Sequence, residues 1–381
     1  MTASVLIVGP VESPHLHSWV QAVSSDYVKV KIFPIDRPNK ANLNALSTSQ
    51  PNKNLKISAI FKVLAISQYS YRILDKISNK KWRHTLLKLQ VKSKKSVCIN
   101  FHDLQSSGYL LLEIENYREL VINKTIICSS WGSDLALFGQ IHSHEQSLKS
   151  LLAITDVLTA ERDEEEIIAR SLGFKGTFHG KVYTSVGTFS TPNDLSICST
   201  RKKILIKGYQ NVPGRALNAL KAIEICKDVL QGWDIAFFAA SESVVVSSEL
   251  LAKSSGLSIR IVPKQSKENF LEEYKEARIY IGVAISDGLS TSMAEAMASG
   301  TFPIQSENSA ASDFIKDGVN GYIVDPWDIS KLAYLIKAAA TDHDLVDKAQ
   351  ARNLEIIKKN YDYNQGRLKI VNIYKRAIES S

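Results

Sequence analysis

Short apolar runs alternate with longer amphipathic stretches along the whole chain, and past Thr200 the alternation begins again. SVLIVGP near the start, VKVKIFPI, SVCINFHD and TIICSSWGSD read as strands, and helical stretches begin at His17, Gly108 and Glu164. After Thr200 come KILIKGYQ, a helix from Arg215 to Leu230, then WDIAFFAAS, LSIRIVPK, IYIGVAIS, TFPIQS and GYIVDP with helices between. Strands this uniformly apolar, separated by helices, belong to parallel sheets covered on both faces. A chain of 381 residues exceeds one ordinary core, which favours two domains.

The two halves also start alike. SVLIVGPVES and KILIKGYQNV each place a strand before a glycine loop and a helix, so the expected fold class is α/β with two doubly wound, Rossmann-like domains. The polar stretch STPNDLSICSTRKK, Ser190 to Lys203, is the expected linker. It divides a first domain, 1–190, completed by the closing helix at 365–381, from a second at 201–364. Ligands of such folds bind beyond the carboxyl ends of the strands, which predicts a site in the cleft between the domains.

Charge is unevenly spread. Of the net +8, much comes from the stretch between Pro51 and Ser96, which holds twelve Lys and Arg against the single acid Asp75, interleaved with residues such as Phe61, Tyr69, Tyr71, Trp82 and Leu86. Basic and apolar residues together suit a peripheral helix on an anionic membrane surface. The same pattern also describes a solvated helical hairpin packed on its own domain. No nucleic-acid recognition motif accompanies the charge. MTASVLIVGPVES lacks a basic leader and reads as an opening strand, and no apolar run is long enough to cross a bilayer, so a cytosolic protein, peripheral on the inner membrane face, is expected. Cys98, Cys128, Cys198 and Cys226 lack paired spacing and read as reduced core residues.

The most informative stretch is SDGLSTSMAEAMASG, Ser286 to Gly300. A buried strand leads into a loop of glycine and hydroxyl residues, and then into an Ala-rich helix closed by Gly300. Ser290, Thr291 or Ser292 can each cap that helix, and Ser292 with Glu295 has capping-box spacing. The capping box explains Glu295 but neither Asp287 nor the hydroxyl cluster. A strand, a Gly/Ser/Thr turn and a helix N-terminus present amides and a positive dipole to an anion. Carboxylates beside them would accept from sugar hydroxyls. The pattern suits a sugar joined to a diphosphate.

DGLSTSMAEAMASGTFPIQS resembles the Glu/Asp-x7-Glu motif of retaining GT-B glycosyltransferases, particularly glycosyltransferase family 4, and SDFIKDGVNGYIVDPWDISKLAYLI is similar to the same family's continuation beyond that motif. HLHSWVQAV, WGSDL and a closing NIYKRA helix agree with it. The resemblance implies a GT-B fold with its two domains facing a central cleft. It implies that Glu295 holds the nucleotide ribose and that Asp287 takes sugar hydroxyls, while Gly288, Leu289, Ser290 and Thr291 line the diphosphate. Asp stands where Glu is commoner at the first position.

Family members use an Arg and a Lys in the loop after the first strand of the second domain to neutralise the leaving diphosphate. In IKGYQNVPGRAL, Tyr209 occupies the Arg position, Arg215 falls where the Lys is expected, and Lys207 is a substitute. Arg215 is either a phosphate ligand or a solvated first-turn residue. In the first domain His15, His17 and His102 lie at strand ends, as substrate contacts on the acceptor side or as scaffold residues. Trp131 stands where relatives carry the His before Gly-Ser-Asp, and an indole there can stack on a sugar. Asp134 either orients this loop and the acceptor hydroxyl or caps a helix. Asp342-His343-Asp344 lies in a polar stretch away from any strand end, so no metal and no cofactor are expected.

These readings predict a retaining, metal-independent hexosyltransferase. Its donor would be a UDP-, GDP- or ADP-linked sugar, and its acceptor a lipid-linked or growing glycan. A nucleotide-sugar epimerase on the same fold, or a catalytically silent partner subunit, are the rival readings.

Overall fold

The computed structural model describes residues 3–23, 28–36, 55–57, 81–93, 96–185, 191–361 and 363–379. Most of the basic segment between Pro51 and Ser96 lies outside them. Its described part is the short strand Leu55–Ile57 and the helix Lys81–Lys92, which buries Leu87 and Val91 and exposes Lys81, Leu89 and Lys92. The chain divides into two compact units, Met1–Thr188 with Tyr363–Ser381, and Phe189–Asp362.

The first unit is built on a parallel sheet in the order β3-β2-β1-β4-β5-β6-β7. Its strands are β1 (Ala3–Gly9), β2 (Val28–Pro34), β3 (Leu55–Ile57), β4 (Ser96–His102), β5 (Thr125–Ser129), β6 (Val157–Thr159) and β7 (Thr177–His179). The expected β1, β2, β4 and β5 are present; β3, β6 and β7, of three residues each, are additional to them. Helices cover the sheet, and the closing helix Tyr363–Glu379 packs against Pro14–Val23. Trp19 Nε1 donates to the Tyr374 hydroxyl at 2.8 Å across that contact, which satisfies two polar groups in a fully buried layer.

The second unit repeats the plan with β8 (Lys203–Lys207), β9 (Asp234–Phe238), β10 (Ser258–Val262), β11 (Ile279–Gly282), β12 (Phe302–Ser306) and β13 (Tyr322–Val324), in the order β10-β9-β8-β11-β12-β13. Both sheets turn back at one place, β1 against β4 and β8 against β11, and it is there that such folds hold ligands. The core of the second unit is apolar, with Ile204, Ile206, Ile235, Phe237, Ile281 and Phe302 at 0% exposure.

Two local expectations are corrected. The helix expected to reach Leu230 ends at Ile225, where the backbone of Cys226 leaves helical geometry. The expected linker is partly structured and belongs to the second unit: the Cys198 amide donates to Gln350 Oε1 (2.9 Å), and Ser199 donates twice to Asp347, at 2.7 Å each. All four cysteines are free and buried. Burial pushes their thiols up, to about 12 for Cys128, as suits inert core residues.

Candidate active site

In the second unit Lys207 ends β8, and Asp287 sits in the loop after the neighbouring β11. Lys207 Nζ lies 3.1 Å from Asp287 Oδ2. Burial opposes the ammonium charge, but Asp287, then Tyr280 and Tyr209, hold its pKa above the ordinary lysine value, so Lys207 stays a cation. The ring of Tyr209 lies 5.1 Å from Nζ. Between Lys207 and Tyr209, Gly208 is required: a Cβ there would stand 2.6 Å from Ala240 Cα and 2.9 Å from the Phe238 carbonyl.

The loop after β8 is strapped to the loop after β11. The Arg215 amide donates to Val283 O (3.0 Å), and the Ile285 amide donates to Pro213 O (2.8 Å). This strap turns Arg215 back on its own loop. Its Nη1 donates to the carbonyls of Asn211, Val212 and Gly214 at 3.2, 3.0 and 2.7 Å, and its guanidinium lies 4.8 Å from the Trp327 ring centre. Lys207 and Tyr209 are thus brought to Asp287, whereas Arg215 is engaged with its own loop and Trp327.

The loop carrying Asp287 hangs on the segment after β12. The Asp287 amide donates to Asn308 O at 2.9 Å, and Gly288 O accepts from the Ala310 amide at 3.1 Å. Leu289 is only 2% exposed, so its side chain packs inward and does not form the surface of the loop.

The helix Thr291–Ala298 then begins with Ser290 as its N-cap. Ser292 is therefore the second helical residue, and the expected capping box between Ser292 and Glu295 does not form in that register. Ser290 has extended N-cap geometry, yet its side chain makes no capping hydrogen bond. Its Oγ lies 3.3 Å from the Tyr280 hydroxyl and 3.2 Å from Ser292 Oγ, and Tyr280 also approaches Ser292 Oγ at 2.8 Å. Tyr280 is fully buried on β11 beneath the turn. The N-cap hydroxyl is thereby drawn away from the first-turn amides it would otherwise satisfy.

Glu295, one and a half turns into the helix, accepts from the Tyr274 hydroxyl at 3.0 Å. Burial, then the Glu295 carboxylate, raises the Tyr274 phenol well above its usual value, so it remains a hydrogen-bond donor. Sequence reasoning misses both tyrosines. IYIG signals a Tyr in a buried strand, but its hydroxyl partners lie ten and twelve residues away and leave no local trace.

In the first unit the residues at the carboxyl ends of β1, β4 and β5 converge. His102 is fully buried: Trp131 Nε1 donates to its Nδ1 at 3.4 Å, its Nε2 faces the Asn100 carboxamide at 3.2 Å, and burial, then His15, lowers its pKa to about 3. It is a neutral scaffold residue. His17 Nε2 donates to Val11 O at 2.7 Å and ties the start of its helix to the preceding loop. Both Asp134 oxygens take backbone amides, Leu104 at 2.8 Å and Trp131 at 2.5 Å, so Asp134 fixes the Trp131 loop. Gly132, with φ of 90°, permits that tight return. His15 stays half-buried, with its ring centre 5.4 Å from that of Trp131. Asp103 caps the segment after β4 through the amides of Ser106 and Ser107, and its pKa is raised to about 7 by burial and the nearby Asp134.

Among the described residues no three His, Cys, Asp or Glu side chains are grouped so as to hold a metal. Asp342 caps the helix His343–Asn360 by accepting from the Leu345 amide. No helix among the described residues is long and apolar enough to cross a membrane.

The architecture is that of GT-B glycosyltransferase structures. Sucrose-phosphate synthase from Thermosynechococcus elongatus superposes with a TM-score of 0.72 at 13% identity, covering 100% of both chains. Anabaena HepE, in complex with UDP and glucose, gives 0.71 at 11% identity over 98% of this chain and 100% of its own. TarM gives 0.74 at 10% identity over 99% of each. In sequence, residues 219–355 match the family described as glycosyl transferases group 1. That span holds Asp287, Glu295 and both tyrosines. No curated protein matches the sequence.

Proposed function

We propose that this protein is a retaining glycosyltransferase that moves a hexose from a nucleotide-diphosphate sugar to a lipid-linked or growing glycan. The observation that carries the reading is the arrangement at the strand switch of the second unit. A helix N-terminus whose N-cap hydroxyl is diverted lies in one continuous stretch with a lysine-paired carboxylate before it and a tyrosine-held carboxylate within it. Helix amides and Lys207 suit the diphosphate, Asp287 the sugar hydroxyls, and Glu295 the ribose. Complexes of the HepE neighbour with UDP, and with UDP and glucose, support a nucleotide-sugar donor for this fold.

The chemistry asks little covalent work of the protein. As the bond from anomeric carbon to oxygen breaks, charge grows on the departing diphosphate, and the fixed cation of Lys207 with the helix dipole lowers that cost. The acceptor hydroxyl attacks on the face the diphosphate leaves, and its proton passes to a departing phosphate oxygen. Water exclusion by closure limits donor hydrolysis. In this reading the basic stretch between Pro51 and Ser96 meets an anionic inner membrane surface, where a lipid-linked acceptor would lie. Liposome sedimentation tests this: recovery with anionic but not neutral vesicles is expected, and equal recovery in the supernatant overturns it.

The engagement of Arg215 elsewhere favours one second reading, a silent partner subunit that keeps the fold without turnover. Calorimetric titration with UDP, GDP and ADP, followed by turnover of the matching nucleotide sugars, separates the two. An enzyme binds one of them and releases it from its sugar. Asp287→Ala and Glu295→Ala should abolish that release, and intact turnover in both variants overturns the site.

A further inference from the structure

The loop that follows β13 in the second unit carries Trp327, which is 60% exposed. An exposed indole is ordinarily free to move, but this one is pinned from three sides. Its amide donates to Asp325 Oδ1 at 2.9 Å, Asn218 Nδ2 donates to the carbonyl of the preceding Pro326 at 2.8 Å, and the Arg215 guanidinium lies 4.8 Å from the ring centre. Arg215 is fixed in turn, since its Nη1 is held by three carbonyls of its own loop and its amide by Val283 O. The guanidinium takes one face of the indole. The exposure that remains belongs to the other face and the ring edge.

An exposed ring forgoes the stability that burial would give, whereas a rigid one has already met the ordering cost of binding. Its surroundings narrow the ligand. Asp325 and Asp328 are both exposed, and each commits only Oδ1, to the amides of Trp327 and Lys331; their other oxygens have no partner among the described residues. An anion meets these carboxylates, and a cation meets Arg215 on the ring. A neutral ligand with a C–H face for the indole and hydroxyls for the carboxylates satisfies both, which describes a sugar. A protein partner needs about 800 Å² per side, more than one indole set between acids supplies.

We propose that Trp327, positioned by Arg215, is a stacking platform for a sugar ring of a neutral glycan, with Asp325 and Asp328 accepting from its hydroxyls. The strap from Arg215 to Val283 keeps this platform on the same frame as the Asp287 loop. That the glycan is the acceptor or product of a transfer rests on the function proposed above; the platform itself does not.

Proton–nitrogen spectra of the tryptophan-labelled full chain show an indole signal for each of its five tryptophans, and loss of one signal in Trp327→Tyr assigns Trp327. Maltohexaose, cellohexaose and mannohexaose are the probes. At least one is expected to shift the Trp327 signal saturably, with a millimolar Kd, and UDP, GDP and ADP are expected to leave it in place. No shift with any of the three oligosaccharides overturns the proposal, and a shift with a nucleotide alone overturns it in favour of a nucleobase platform. Saturation-transfer spectra of the bound oligosaccharide follow the variants. Trp327→Tyr keeps an aromatic face and should bind within about threefold of wild type, whereas Trp327→Leu keeps apolar bulk and should bind about tenfold more weakly, at unchanged Tm. Equal binding by the two variants overturns the stacking role, and a lowered Tm in Trp327→Leu with equal binding marks the ring as structural. A wild type that binds an oligosaccharide at Trp327 but turns over no nucleotide sugar sinks the transferase reading alone.

Discussion

Lys207 at the end of β8 and Asp287 beyond β11 form a 3.1 Å ion pair across the point where the strand order of the second unit turns back. The pair joins the residue assigned to diphosphate charge with the one assigned to sugar hydroxyls. Lys207→Met should weaken nucleoside diphosphate binding roughly 10- to 100-fold, the range for hydrogen bonds to charged groups. Arg215→Ala, whose guanidinium is spent on its own loop, should change it by less than about threefold, the scale of an exposed surface charge. Calorimetry on both variants decides, and the opposite ranking contradicts the assignment. A fixed cation also predicts turnover that persists in EDTA, whereas a loss restored by Mg²⁺ would contradict it.

The Tyr280 hydroxyl draws Ser290 away from capping its own helix. In Tyr280→Phe, Ser290 is released to cap. Nucleotide affinity should fall several-fold while thermal stability holds or rises, since an N-cap is worth about 0.5–2 kcal/mol. Tighter nucleotide binding in Tyr280→Phe would show that the diversion does not serve the ligand.

Tyr274 acts on Glu295 through one hydrogen bond of 3.0 Å. Tyr274→Phe removes that bond and keeps the ring packed edge-on against Phe270. The expected result is a raised KM for the nucleotide sugar, by about tenfold, with kcat little changed. Glu295→Ala should cost more than Tyr274→Phe. Equal losses would mean that Glu295 is only a partner for the tyrosine.

His102 contributes a pH dependence of definite sign. Its pKa is about 3 when folded, against an ordinary value of 6.5, so the unfolded chain binds the extra proton between these limits. Stability from this residue is full above pH 6.5 and is lost as pH falls toward 3, by about 2 kcal/mol between pH 6.5 and 5. Asp103, with its pKa raised to about 7, works in the opposite direction. Urea unfolding of wild type and His102→Gln at pH 7.5 and 5 isolates the histidine. The variant should lose less on acidification, and parallel curves would contradict the burial of a neutral ring.

Much of the fold is legible in the chain itself. Strands of four to seven residues announce themselves as apolar runs, as does the three-residue β13 within GYIVDP, whereas the equally short β3, β6 and β7 do not stand out. Asp287 and Glu295 are visible because their spacing is local. Side-chain commitment over distance is not legible: Arg215 turns to Trp327, Asp134 to two amides, and His102 is closed into the core. Tyr274 and Tyr280 escape for the same reason, since each acts on a partner from another element. The register of the helix after Ser290 is equally hidden, because three consecutive hydroxyl residues can each cap and only the extended backbone of Ser290 separates them.

The central claim is that the second unit holds a nucleoside diphosphate at Lys207, Asp287 and Glu295. Calorimetric titration of UDP, GDP and ADP into the full chain and into Glu295→Ala tests it most directly. The account predicts that the wild type binds one of them with a Kd between about 1 µM and 1 mM, the usual range for enzyme substrates, and that Glu295→Ala binds it at least about tenfold more weakly. A wild type that binds none of the three, or a Glu295→Ala that binds as well as wild type, would contradict it.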